Sequence, residues 1–142
     1  TLFPYTTLFR FMIGRLSTEH VAIINATGAL RRVVLDGDGT EAATAVEELA
    51  ALLDPHTRGE EQGLFAELRL DEDFADHVDA LCAEHREIDA RLARVADGDH
   101  SDVQELENLL RRHIDKEENG IFPAAAVALD GAAWDRIQKR AP

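Results

Sequence analysis

The sequence predicts an all-α protein: an antiparallel, up-and-down four-helix bundle of two pseudo-repeated helical hairpins, with a short C-terminal helix. Three observations predict it. Apolar residues recur at three- and four-residue spacing with strong helix formers between them. No stretch alternates in the way of a half-buried strand. One phrase also occurs twice, as His56-Thr57-Arg58-Gly59-Glu60-Glu61-Gln62-Gly63-Leu64-Phe65 and as His113-Ile114-Asp115-Lys116-Glu117-Glu118-Asn119-Gly120-Ile121-Phe122.

The first helix is expected from about Met12 to Arg32, burying Ile13, Leu16, Ile23, Ile24 and Leu30, with Gly28 weakening it. Val33 to Asp36 lead into Gly37-Asp38-Gly39, which is turn chemistry. Thr40 is the expected N-cap of the second helix, with Glu41 in its first turn. Val46, Leu49, Leu52 and Leu53 form the apolar stripe of that helix. Pro55 lacks an amide proton, so a kink or a restart is expected just before His56, with the second piece continuing to about Arg69. The third helix spans about Phe74 to Val95, turning Val78, Leu81, Ile88 and Leu92 inward. Asp97-Gly98-Asp99 ends it. Ser101 or Asp102 caps the fourth, which carries Val103, Leu106, Leu109, Leu110, Ile114 and Ile121 to Pro123 or beyond. Asp130-Gly131 breaks the chain, and Ala132 to Lys139 form a short fifth helix packing Trp134 and Ile137 back on the bundle. Helices joined by such short links pack most simply antiparallel.

A chain of 142 residues is the size of one domain. Residues 12–142 are taken as that domain. Thr1 to Phe11 do not share its Ala-, Glu- and Arg-rich character and resemble translated adapter sequence, so the segment is read as non-native or disordered. With 15 Lys plus Arg against 28 Asp plus Glu, the net charge of −13 repels phosphate backbones and anionic headgroups, so neither nucleic acid nor membrane is an expected partner. A single cysteine, Cys82, has no partner for an internal disulfide and is read as a small buried residue. The lack of a secretory signal points to the cytoplasm.

The doubled phrase carries the chemistry. A His and a Glu four apart on a helix lie about 40° apart around its axis, so both reach one point beside it. The repeat extends to the other helices, where Glu19-His20-Val21-Ala22-Ile23 and Glu84-His85-Arg86-Glu87-Ile88 both read Glu-His-x-x-Ile. Four helices thus present His20, His56, His85 and His113, and two add Glu60 and Glu117. Six convergent ligands exceed the four of a closed zinc site. They suit two metal ions bridged by carboxylates at roughly 3.5 to 4 Å. Nitrogen and carboxylate ligation without thiolate suits iron, manganese or zinc, whereas calcium and magnesium want oxygen throughout. Ferritin-like bundles bury paired metals through Glu-x-x-His, but the residues three before the four histidines are Ser17, Leu53, Cys82 and Leu110. Glu61 and Glu118 are rotated about 100° from the ligands and are read as solvated or as supporting the site. Phe65 and Phe122 either line its dry end or are plain core packing, His77 and His100 are read as non-ligands, and Arg58 and Lys116 point outward.

The order His, His-x-x-x-Glu, His, His-x-x-x-Glu resembles the hemerythrin-like, or HHE cation-binding, domain, and the stretch from about Leu16 to Trp134 is similar to bacterial members. The resemblance implies a non-haem di-iron centre bridged by Glu60, Glu117 and an oxo or hydroxo group. His20 and His56 then fall on one side and His85 and His113 on the other; which pair shares an iron is left open. The invertebrate oxygen carriers of that family have a His-x-x-x-His pair where this chain has Leu81 and His85, and an Asp where it has Glu117. Fewer histidines leave more open coordination, which disfavours oxygen storage and favours chemistry on small oxidants. The expected function is binding or reducing oxygen, hydrogen peroxide or nitric oxide, with catalase-like turnover as its enzymatic form and an unknown electron donor. The alternative is an iron- or oxygen-responsive sensor, or an iron-binding module without turnover.

Overall fold

The computed structural model describes residues 3–37 and 39–141, with the side chains of residues 3–6 left aside. The described residues are helical with no strand, in the order α1 Phe3–Asp36, α2 Gly39–Gln62, α3 Leu64–Leu68, α4 Glu72–Ala96, α5 Val103–Lys116, α6 Phe122–Ala128 and α7 Gly131–Arg140. A 3₁₀ turn, His100–Asp102, precedes α5, and a π-helical turn, Glu117–Ile121, joins α5 to α6. The long helices form a bundle in which α1 packs on α2 and α5, and α4 packs on α2 and α5. No described helix is long and apolar enough to cross a membrane.

The first helix is longer than its periodicity announces. It runs from Phe3 instead of Met12 and through Val33 to Asp36 instead of ending at Arg32. Leu8 and Phe9 pack against the core, and the Phe9 ring meets Trp134 edge-on at 5.3 Å between centroids. Thr1 and Leu2, and Asp38 of the expected turn, lie outside the described residues.

The second helix passes through Pro55 without the expected break. Leu53 and His56 are both buried on the opposite face, and Thr57 Oγ1 donates to the Leu53 carbonyl at 3.1 Å beside the missing amide bond. The break comes at Gly63 instead. A Cβ there would stand 2.9 Å from the Gly59 carbonyl and 3.0 Å from Ala141 Cβ, so only glycine lets α7 approach so closely. Leu52, expected inside, is exposed.

Asp71 caps α4 by accepting from the Asp73 amide at 2.9 Å. Gly98, at φ 99°, ends it with the left-handed turn that glycine tolerates best. Asp130 caps α7 through the Ala133 amide at 2.9 Å. The α7 helix is clamped by Glu67 of α3, whose carboxylate accepts from Arg136 and Arg140, and by the burial of Trp134 and Ile137.

Two apolar cores fill the bundle. One gathers Leu16, Phe65, Leu68, Leu81, Phe122, Trp134 and Ile137. The other gathers Ile23, Leu49, Leu53, Ile88, Leu106 and Leu110. Along each long helix the chain passes from one core to the other through a buried polar residue: Leu16 to His20 to Ile23, and Cys82 to His85 to Ile88. A layer of histidines and glutamates therefore separates the two cores.

Candidate metal centre

Each helix supplies this layer because its polar residue falls on the same face as the leucines a turn before and after it. His20, His56, His85 and His113 are 3 to 4% exposed, and Glu60 and Glu117 are at 0%. All six sequence-predicted residues meet at one level of the bundle.

The two carboxylates tie the level together. Glu60 Oε1 lies 2.9 Å from His56 Nε2 and 3.6 Å from His20 Nε2, while its Oε2 lies 3.2 Å from His85 Nε2. Glu117 Oε1 lies 2.5 Å from His113 Nε2, and its Oε2 lies 3.9 Å from His20 Nε2. Each glutamate thus turns one oxygen to each half. Two groups result, His20, His56, Glu60 and Glu117 in one and His85, His113, Glu60 and Glu117 in the other, with ligand atoms within 4.8 Å of one another in each. The halves mirror each other in ring geometry: His20 and His56 meet at 4.7 Å and 63°, His85 and His113 at 4.7 Å and 61°.

A second ring of carboxylates stands behind the histidines. Glu118 meets His20 Nδ1 at 2.7 Å, Glu61 meets His85 Nδ1 at 2.8 Å, Glu84 meets His113 Nδ1 at 2.9 Å, and Glu19 meets His56 Nδ1 at 3.5 Å. Every imidazole is held by a carboxylate from the neighbouring segment, so the contacts close a circle around the bundle. A carboxylate accepts, so Nδ1 donates and Nε2 keeps its lone pair toward the centre. Ser17 Oγ donates to Glu118 at 2.9 Å, and the Lys116 ammonium pairs with Glu84. Lys116 therefore braces the ring from a neighbouring helix instead of only serving its own.

The sequence left this ring half read. Helical spacing leaves Glu61 and Glu118 between a solvated and a supporting role and assigns none to Glu19 and Glu84. Their signal lay in the repeat itself, which places an acid just before His20 and His85 and just after Glu60 and Glu117.

Phe65 and Phe122 cross between hairpins. Phe122 stacks on His20 at 5.7 Å and 3°, and Phe65 on His85 at 5.9 Å and 14°. They seal the level on the side of α7. His77 is exposed on α4, and His100 sits half-buried in the 3₁₀ turn, so neither joins the site. Arg58 points outward to Asp54.

Burial disfavours charge on every imidazole, yet the surrounding carboxylates prevail and all four are raised, His56 to about 10 through Glu19 and Glu60. Burial and the facing Glu60 push Glu117 up to about 7. Burial opposes the ionised form of Glu60 as well, but Glu117 and the imidazoles of His20, His56 and His85 facing it hold it well below the usual carboxylate range. Without a cation, protons take over its role of balancing the acids.

The donor set fits a pair of cations. Both oxygens of Glu60, both of Glu117, and Nε2 of His20, His85 and His113 are buried without a hydrogen-bond partner among the described residues. Orphaned buried acceptors of this number are rare unless an ion satisfies them. The family described as Hemerythrin HHE cation binding domain matches residues 12–125. No curated protein and no solved structure matches the chain.

Proposed function

Because the chain belongs to the hemerythrin HHE cation-binding domain family, we propose that it is a non-haem di-iron protein that binds or reduces small oxidants such as oxygen, hydrogen peroxide or nitric oxide. His20 and His56 would hold one iron and His85 and His113 the other, with Glu60, Glu117 and an oxo or hydroxo group between them. The observation that carries this reading is the way Glu60 and Glu117 each divide their two oxygens between the two histidine pairs. A bound iron pair supplies one-electron steps and open positions for a small oxidant.

The chain's own residues do the rest. Glu19, Glu61, Glu84 and Glu118 fix the imidazole tautomers and aim each Nε2 inward. Phe65 and Phe122 exclude water beside His85 and His20, which strengthens every charge interaction inside. Leu81, fully buried, packs the position where the oxygen carriers of the family hold an additional histidine. That leaves four imidazoles for two metals and favours reaction with oxidants over oxygen storage.

The experiment is to load the metal-free chain with ferrous iron, count iron per chain, record the optical spectrum, and follow peroxide consumption. About two irons per chain with oxo-to-iron charge-transfer bands are expected, with turnover lost in His56→Ala and Glu117→Ala. Equal turnover in all three proteins would eliminate the enzymatic form. The sensing alternative draws support from the polar layer that divides the core, because metal binding there is coupled to folding. It predicts a large thermal shift on loading with negligible turnover.

A further inference from the structure

Beside α2 the chain forms a cleft of about 310 Å³ whose lining includes Arg15, Glu19, Arg58, Gln62 and Arg140. Three guanidinium groups converge here, on a chain whose net charge is −13. Their charges are not equally compensated. Arg58 pairs with Asp54, and Arg140 donates to Glu67 at 2.9 Å. Arg15 has no ion pair or hydrogen bond among the described residues, although Glu19 lies one turn along the same helix. Three arginines bury Nε without a hydrogen-bond partner, and of these Arg31 and Arg91 lie in ion pairs while Arg15 does not. The Glu19 carboxylate also lines the cleft but is turned toward His56 Nδ1, and Arg15 forms no ion pair with it.

From this we infer that the cleft is a binding site for the phosphate group of a small anion, with Arg15 as its main contact and Arg58, Arg140 and the Gln62 amide around it. A half-buried guanidinium offers a planar fork of donors that matches a phosphate, and a desolvated fork left empty is unfavourable. The volume suits a small ligand and falls at the lower end of ligand sites. The cleft also touches the metal level through one residue, because Glu19 both lines it and contacts His56 at 3.5 Å, the longest contact in the carboxylate ring. An anion bound at Arg15 therefore stands one carboxylate and one imidazole from the candidate centre. Two sources share this chemistry, free phosphate and the phosphate of a larger reductant. That second possibility rests on the di-iron reading, whereas the site itself does not.

The test uses the 142-residue chain free of metal, so that its failure is separate from failure of the di-iron reading, which iron counting decides. Inorganic phosphate and flavin mononucleotide are titrated in parallel while the Arg Nε–Hε NMR signals are followed. Saturable binding is expected, weakened tenfold or more in Arg15→Gln, less in Arg15→Lys, and not at all in Arg112→Gln, a remote arginine paired with Glu105. Flavin mononucleotide binding tenfold more tightly than phosphate marks a phosphorylated reductant as the occupant; equal affinity marks free phosphate. Absence of saturation by both probes, or equal weakening in Arg15→Gln and Arg112→Gln, overturns the proposal. Iron content in Arg15→Gln is expected to match that of the parent chain.

Discussion

Glu84 and Glu118 illustrate how much of the site lies outside its six candidate ligands. Each accepts from a histidine Nδ1 on a neighbouring segment, and each is steadied in turn, Glu84 by Lys116 and Glu118 by Ser17. Replacing such a partner commonly costs about 10- to 100-fold in metal affinity. Glu84→Gln and Glu118→Gln are therefore expected to weaken iron binding by that order while the bundle stays folded, measured by competition with a chromophoric chelator alongside circular dichroism. Unchanged affinity in both would remove the positioning role. Protonation supplies a second expectation at this scale. His56 titrates near 10 and Glu117 near 7 in the metal-free chain, and both are raised above their unfolded values. Groups raised in this way contribute stability that is fully present below their unfolded pKa and is lost as pH rises through the folded one. Metal-free protein should therefore lose stability from pH 4.5 to about 7 through Glu117 and from pH 6.5 to about 10 through His56, and loaded protein, whose imidazoles are held by metal and not by protons, should not. Urea midpoints across that range check the sign, and parallel pH profiles would contradict it.

Helix register explains why the doubled phrase includes Gly and Phe as well as His and Glu. After each bridging glutamate the α-helical register fails, at Gly63 in the first copy and through the π-helical turn Glu117–Ile121 in the second. The π-turn adds a residue in the second copy, and in both copies the pair Leu64-Phe65 or Ile121-Phe122 is buried with its Phe on a histidine of the other hairpin. The two glycines do different work. A Cβ at Gly63 would press on the Gly59 carbonyl and Ala141, whereas one at Gly120 would meet nothing within 4 Å. Gly63→Ala should thus cost about 1–3 kcal/mol by overpacking, and Gly120→Ala should be neutral within about 0.5 kcal/mol or mildly stabilising. Urea unfolding measures both, and equal costs would show that the glycines act alike. This register shift also marks the limit of what the sequence makes legible. Periodicity places α4 and α7 and the starts of α2 and α5 within a few residues, because a stripe of leucines acts locally. Pro55 signals a break that does not occur, since the loss of one amide bond on an exposed turn is outweighed by burial of Leu53 and His56 on the other side. The π-turn leaves no such signal. One extra residue barely perturbs the apolar spacing, and the contact beside it, the stacking of Phe122 on His20, is long-range. The six candidate ligands were legible because the repeat doubles them, whereas the roles of Glu19 and Glu84 depend on which helices become neighbours.

Across the whole molecule, the polar level is the seam between two apolar cores that do not merge. Six ionisable groups at 4% exposure or less occupy the place where a longer bundle would continue its leucines, and burying charge without a full set of partners is unfavourable. Metal-free protein is therefore expected to be a bundle with a weak middle, stabilised by whatever binds there. A ligand present at 1,000 times its dissociation constant contributes about 4 kcal/mol per site, and each kcal/mol raises the midpoint of a domain of this size by roughly 2–4 °C. Loading with ferrous iron under exclusion of oxygen should accordingly raise the melting temperature by roughly 10 °C or more. The shared carboxylates make the variants diagnostic. Glu60 belongs to both four-residue groups and His113 to one. Glu60→Ala should abolish nearly all of the shift, and His113→Ala should leave the part contributed by His20 and His56. Differential scanning calorimetry with and without iron separates these outcomes. A shift of the same size in all three proteins would mean that iron stabilises the chain from somewhere other than the seam, and the coupling between metal and fold would have to be abandoned.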